Sequence, residues 1–485
     1  MPASNPHHKH RWTILGVLGI AQLMVILDAT IVNIALPSAQ ADVGFDDNDR
    51  QWIITAYALA FGSLLLIGGR IGDLFGRKAV FVIGLLGFAV ASALGGGAQS
   101  FGVLVAARAL QGAFGALLAP AALSLLTTTF TDPEERGRAF GVFGAIAGSG
   151  AAIGLLLGGV LTEWLNWRWC LYVNLAFAIP AASAAMVLLH QVPHPDKPKI
   201  DVAGTVTATL GLLALVYGLS RAERDGWGAT DTLLLLGASV VLLAVFVTLQ
   251  RRSEHPLLPL HIVLDRLRGG AYLAILISGV GMFAVFLFLT YYMQRTLGMT
   301  PIETGAGFVP QTFMTMIFAT VANAKLVPKY GPRPFLTAGM LLCATALALM
   351  SQLDIDSTYA GHVLPAALIM GAGMGFIFAP AMISGTARVD GNEAGVASAT
   401  INTAQQIGGS IGTAALSTIF AEAVEAYANS HAPTQQLAAE ATMHGYTVVF
   451  WVAAGVFVLG AIVSFLVMPK GVPAGMEAGE PMAMV

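Results

Sequence analysis

The sequence predicts an all-α polytopic membrane protein, and three observations carry that prediction. Apolar residues make up 56% of the chain and charged residues only 11%, where soluble domains carry about a quarter charged. The apolar residues gather into fourteen runs of about 18 to 25 residues, each long enough to cross a bilayer as a helix. Short motifs of the first six runs also recur in the last six, in the same order.

Taken in order, the spans fall near 12–36, 51–69, 79–99, 102–127, 139–162, 168–189, 202–220, 231–249, 270–293, 303–325, 334–352, 362–384, 397–421 and 446–468. The start, "HHKHRW" before an apolar run, has the charge pattern of a signal peptide. The run is too long for such a segment and lacks a small-residue cleavage site, so it is expected to remain as the first span. An even count puts both termini on one side. With the termini inside, eighteen of the 24 Lys and Arg residues lie on inner connectors and five on outer ones, the asymmetry that inserted proteins show. No connector is long enough for a folded soluble domain, the longest running from Glu422 to Gly445. The chemistry is therefore expected within the bundle.

The repeat is short but consistent. "GALLAPA" at 115–121 returns as "GFIFAPA" at 375–381, and Gly150 and Gly154 return as Gly408 and Gly412. "DLFGRK" at 73–78 returns in degenerate form as "PKYGPR" at 328–333. Spans 1–6 are thus repeated as spans 9–14 in the same orientation, with spans 7 and 8 inserted. The expected division is a first half at 1–190, a linker and two extra spans at 191–252, an interfacial segment at 253–269, a second half at 270–469 and a tail at 470–485. A parallel repeat of six spans is the architecture of secondary transporters that rock two halves about a site near the midplane.

The strongest local motif is "GGRIGDLFGRKAV" at 68–80, on the inner connector after span 2. Gly69, Gly72 and Gly76 permit a tight turn. Asp73 sits among Arg70, Arg77 and Lys78, where it can form an ion pair or cap a neighbouring helix N-terminus. Such a hairpin can lock one closure state of a two-state bundle; the competing reading is a topology anchor whose bases merely follow the inside-positive bias.

"GRIGDLFGRK" resembles the loop signature of the major facilitator superfamily, matching at Gly69, Asp73, Gly76, Arg77 and Lys78. "LDATIVNIALP" at 27–37, "RALQGAFGALLAPA" at 108–121, "LTEWLNWRWCLYVN" at 161–174 and "PLLPL" at 256–260 resemble the EmrB/QacA type of fourteen-span drug/proton antiporters. The resemblance covers nearly the whole chain. It implies a major facilitator fold of two six-helix halves plus two inserted helices, with N and C termini cytoplasmic, in the bacterial inner membrane. It also implies proton-coupled multidrug efflux and antibiotic resistance.

Asp28 stands near the middle of span 1. A carboxylate there costs roughly 2.5–3.5 kcal/mol on insertion scales, and such residues usually face a cavity and handle protons or substrate. At 1.5 Å rise per residue, Asp28 lies roughly 13 Å below the outer end of its span and Arg108 roughly 9 Å below the same surface. They are the opposite charges available to each other at membrane depth in this half. A paired Arg108 would hold Asp28 ionised, whereas burial alone favours the neutral acid, and a proton-coupled cycle can use that difference. The competing reading is a static ion pair that fixes helix packing. The position equivalent to Arg108 is Leu368 and span 9 holds no acid, so coupling is expected in the first half alone.

Gly150, Gly154 and Gly158 in span 5 form a small-residue stripe that admits a second helix closely. "GSGAAIGLLLGG" resembles the antiporter signature of the family, with Leu155 where a proline is usual. Although glycine-rich, it follows no strand and opens no phosphate-binding helix. Asn33, Tyr57 and Gln111 in the first half, with Tyr292, Gln311 and Gln405 in the second, are candidates for the wall of a greasy, loosely specific cavity. Span 10 has no acid beyond Glu303 at its outer end, which favours neutral or singly charged lipophilic substrates over dications.

Other classes find little support. There is no GxxxxGK[ST] loop for ATP-driven transport. No acid/base or metal-spaced cluster lies at membrane depth, so neither an enzyme nor a metal site is expected. Cys170 and Cys343 form no CxxC motif, and the "HHKH" tail reads as solvated. No cofactor beyond the proton gradient is expected. The expected partners are a small lipophilic substrate, protons and membrane lipid, with no nucleic acid, and the expected state is a monomer. A dedicated exporter of one endogenous metabolite or siderophore is the alternative, and a channel is the weaker one.

Overall fold

The fourteen expected spans fall on long helices. The structure, a computed structural model, describes residues 10–45, 47–130, 132–190, 201–389, 393–432 and 436–472. The first half comprises α1 (Arg11–Val43), α2 (Asp47–Phe75), α3 (Arg77–Gly96), α4 (Phe101–Thr129), α5 (Pro133–Trp164) and α6 (Trp169–Leu188). The inserted pair is α7 (Val202–Asp225) and α8 (Thr230–Arg252). After the short α9 (Leu260–Leu264), the second half comprises α10 (Arg266–Ala284), α11 (Pro301–Val321), α12 (Val327–Tyr330), α13 (Arg333–Met350), α14 (Leu364–Gly385), α15 (Ala394–Ser430) and α16 (Leu437–Val467). Among the described residues, 13 helices are long and apolar enough to cross a membrane. The remaining expected span lies on α5, a 32-residue helix of which several side chains fall outside the described residues.

Packing realises the repeat. α1 packs on α5 and α6, α2 and α3 on α4, and α3 on α6. The second half reproduces each pairing, α10 on α15 and α16, α11 and α13 on α14, and α13 on α16. Glycines set the same close approach twice: a Cβ at Gly112 would overlap the Tyr57 carbonyl of α2, and one at Gly371 the Gln311 carbonyl of α11. The halves meet along two seams, α2 against α15 and α5 against α11. α7 lies on both α2 and α15, and α8 packs on α7. Leu66, Ala208, Leu212, Phe246 and Ala399 form a shared apolar cluster there, and Trp227 of the inserted pair donates to Thr418 of α15 at 3.1 Å.

Hydropathy placed several boundaries wrongly. The expected outer connector at 422–445 is mostly helix, because α15 runs to Ser430 and α16 starts at Leu437. "AEAVEAYANS" is rich in good helix formers yet too polar to register as a span. The expected interfacial segment at 253–269 is helical only at Leu260–Leu264 before Asp265 caps α10 through Leu267 and Arg268. Four π-helical segments also went unforeseen: Val285–Leu289, Tyr292–Thr296, Ala322–Leu326 and Tyr359–Val363. The last two lie just ahead of Pro328 and Pro365, which lack the N–H that would continue an α ladder. Residues 191–200, most of the "HHKH" tail, the end of the C-terminal tail, and the side chains of Asn33 and Leu155 lie outside the described residues.

Candidate functional site

Asp28 is fully buried in the first half and receives three donors. Arg108 Nη1 lies 2.6 Å from Asp28 Oδ2, while Gln111 Nε2 and Asn174 Nδ2 lie 2.9 and 2.7 Å from Oδ1. Arg108 and Gln111 are three residues apart on α4 and so share one helix face. Their own bond, Arg108 Nη1 to Gln111 Oε1 at 2.8 Å, holds both toward α1. The guanidinium stacks 4.4 Å from the Tyr57 ring centroid and donates through Nε to the Ile53 carbonyl at 3.3 Å. Gln111 also reaches Ser92 at 2.7 Å. Four helices besides α1 therefore build this site.

Buried ions survive only where their hydrogen-bonding capacity is met. Arg108 offers donors alone, and Gln111 Oε1 is occupied by it, so each side chain bonded to the carboxylate meets it as a donor. Asn174 Oδ1 is the exception, a buried acceptor with no hydrogen-bond partner among the described residues. Outward of Arg108 lies a small pocket lined by apolar residues including Val32, Leu36, Leu104 and Trp167. At the outer end, Asp42 accepts from Trp167 Nε1 at 3.0 Å and from Arg168 Nη2 at 2.8 Å. The Trp167 bond, helped by Arg168, holds the exposed Asp42 carboxyl below its usual range.

α5 brings its glycine stripe against α1 on both sides of Asp28. A Cβ at Gly150 would meet Ile26, at Gly154 Thr30 and the Leu27 carbonyl, and at Gly158 Ile31. The second half uses the same device, Gly408 and Gly412 against the Leu276 and Val280 carbonyls of α10.

A second cluster bridges the halves at the end of α2. Asp73 is only 2% exposed. Its Oδ1 accepts from Arg77 Nη2 at 3.1 Å and from the Gly395 backbone N–H at 3.0 Å, and its Oδ2 from Val396 N–H at 3.1 Å. Both alternatives open in the sequence, ion pair and helix cap, occur together. The capped helix is α15, where an anion meets unpaired N–H groups and the positive end of the dipole. Gly76, at φ 92°, separates α2 from α3, a backbone position that disfavours a side chain. Gly69 lies against Gly395 and Ala399, and Lys78 Nζ donates to the Met186 carbonyl of α6 at 2.7 Å. In the other seam, a Cβ at Gly137 of α5 would meet the Asn323 carbonyl, with no acid in the place of Asp73.

The candidate cavity residues have different surroundings. Tyr57 and Gln111 belong to the Asp28 network. Tyr292 is fully buried and donates to the Asp354 carbonyl at 2.8 Å, in edge contact with Tyr446. Gln311 is buried and Gln405 half-buried. Asn174 and Ser92 were not singled out from sequence, although Asn174 closes the quoted segment at 161–174 and is the lone amide of span 6. Among the described residues, the second half has no ion pair at the position of Asp28 and Arg108.

Two pseudo-equivalent six-helix halves joined along two seams, the first half enclosing a buried ion pair, have the architecture of multi-pass secondary transporters. Residues 18–413 match the model of the Major Facilitator Superfamily, and the chain belongs to that family. It is 45% identical to the puromycin resistance protein pur8 of Streptomyces alboniger, over 97% of this chain and 94% of that one. It is 37% identical to the cephamycin export protein CmcT of Amycolatopsis lactamdurans, over 84% of each. It is 30% identical to the multidrug transporter protein MdtP of Bacillus subtilis, over 86% of this chain and 77% of that one. The fold also matches the human organic anion transporter MFSD10, with a TM-score of 0.61 at 16% identity, over 94% of this chain and 99% of that one. The chain is an efflux transporter of small molecules and a multi-pass protein of the bacterial plasma membrane.

Proposed function

We propose that the chain exports lipophilic drugs or antibiotics in exchange for protons, with Asp28 as the proton carrier and Arg108 as its counter-charge. The observation that carries this reading is the carboxylate sealed at membrane depth among three donors. A charge so expensive to bury is retained where its neutralisation does work. In the cycle, substrate leaves outward, Asp28 takes a proton from the outer side, and the protein reorients and releases that proton to the cytoplasm. Asp73, Arg77 and the first turn of α15 act as the conformational gate, stabilising the arrangement in which this end of the bundle is closed. Gly69, Gly76 and Lys78 hold the hairpin in place. The gradient is the energy source, no catalytic step or cofactor takes part, and the working unit is a monomer among lipids with cytoplasmic termini.

A relative of 45% identity is named for puromycin resistance, which makes puromycin the first compound to test. Inverted vesicles containing the chain should accumulate puromycin when their lumen is acidified, and should stop when the pH gradient is collapsed. Accumulation that ignores the gradient would refute proton coupling. The names of relatives associated with single antibiotics, cephamycin and tetracenomycin C, support a second reading, a dedicated exporter. A panel in which one compound alone is transported would favour it.

A further inference from the structure

The geometry points to Asn174 as the residue that lets the buried site hold Asp28 in either charge state. Its amide donates to the carboxylate when Asp28 is ionised, and turns to accept from the carboxylic acid when Asp28 carries a proton. This inference rests on the reading of Asp28 as the proton carrier.

The argument is one of donors and acceptors. In the anionic site Asp28 accepts three hydrogen bonds and needs no acceptor nearby. Once protonated, the same side chain has an O–H that must find an acceptor or be left buried and unsatisfied. Arg108 has none to give. Gln111 Oε1 already accepts from Arg108 at 2.8 Å, and its Nε2 serves both Asp28 and Ser92. The Tyr57 hydroxyl is directed to the Val25 carbonyl at 3.4 Å. Asn174 is fully buried, with Nδ2 2.7 Å from Asp28 and Oδ1 meeting no donor among the described residues. Its terminal torsion joins sp³ to sp² carbon and has a broad, two-fold profile. Rotation exchanges donor for acceptor opposite Asp28 and leaves one amide atom unpaired in either state, so the amide switches without disturbing the α4 network.

The step is a simple protonation. A proton from the outer aqueous phase forms the O–H bond on Asp28, one N–H···O bond is replaced by an O–H···O bond, and the same proton later leaves to the inner phase. The titratable groups facing Asp28 are Tyr57 from α2, Arg108 from α4 and Cys170 from α6. α5 brings none, because residues 139–162 contain no titratable side chain.

The test is an infrared titration of the full chain in lipid, following the carboxylic C=O band that Asp28→Asn removes. Asn174→Leu keeps the approximate volume but supplies neither donor nor acceptor. Because the charge-assisted bond to the anion is the stronger of the two, the band should appear about one pH unit higher, roughly tenfold in proton affinity. Asn174→Asp keeps the shape and serves where the Leu variant does not fold. Its second carboxyl shares the proton, and the band should spread into two steps starting above the wild-type midpoint. A midpoint unchanged from wild type in the variants that fold, even with transport lost, would reduce Asn174 to a packing residue and overturn the inference. A wild-type protein with no Asp28 band at any pH would instead overturn the coupling reading beneath it, and this inference with it.

Discussion

The Oδ1 atom of Asp73 lies 3.0 Å from the backbone nitrogen of Gly395, so a carboxylate of the first half caps a helix of the second. The two residues are 322 positions apart in sequence. Since the contact crosses the seam between halves, it can exist only while that end of the seam is closed. Replacing Asp73 with Ala removes a charge–dipole contact worth up to about 2 kcal/mol when partly buried, roughly thirtyfold in a two-state ratio. The variant should spend more time open at this end and turn over more slowly. Double electron–electron resonance between spin labels on the ends of α2 and α15 would report the shift, and an unchanged distance distribution would remove Asp73 from the gate.

Removing Arg108 should unbalance its partner. Arg108→Leu leaves a buried carboxylate without its counter-charge, a loss of about 3–5 kcal/mol. Adding Asp28→Asn to that variant should recover much of the stability, because the two effects are coupled. Thermal unfolding in detergent of both single variants and the double variant checks this. Strict additivity would mean the pair does not interact as the 2.6 Å separation implies.

Gly154 is where α5 and α1 come closest to Asp28. Gly154→Val would drive new methyl groups into Thr30 and the Leu27 carbonyl, at about 1–3 kcal/mol of overpacking. Lower thermal stability together with impaired coupling is expected. Normal stability would show that the stripe leaves room to spare.

The outer clasp of Asp42, Trp167 and Arg168 should respond to acid. Its carboxyl is held below the usual range, chiefly by the Trp167 hydrogen bond. The contribution is therefore present above the unfolded-state value and is lost as pH falls through the lower folded-state value. Trp167 fluorescence should change only under strongly acidic conditions, and Asp42→Asn should abolish that transition. A transition surviving the substitution would place its origin elsewhere.

Sequence alone exposed those features for which energy leaves a mark in composition. Span count, repeat and the Asp28–Arg108 pair were legible because apolar length and buried charge are costly and therefore conspicuous. The glycine stripe at Gly150, Gly154 and Gly158 was equally plain, though not which helix it faced. Asp73 announced a cap or an ion pair, but its helix lies more than three hundred residues away. Asn174 stayed hidden because an amide in a span is cheap enough to have many uses. The π segments were invisible to hydropathy, which counts apolar length and not helix pitch. The candidate cavity residues show a further gap: sequence marks a polar group on a span but not its partner, which is the Asp28 network for Gln111 and a backbone carbonyl for Tyr57 and Tyr292.

The most direct test of Asp28 as the coupling group is proton release on substrate binding, measured with a pH indicator in weakly buffered detergent solution. Addition of a transported drug to the wild-type chain should release protons, and addition to Asp28→Asn, with drug still bound, should release none. Equal release from both proteins would contradict a coupling role for Asp28.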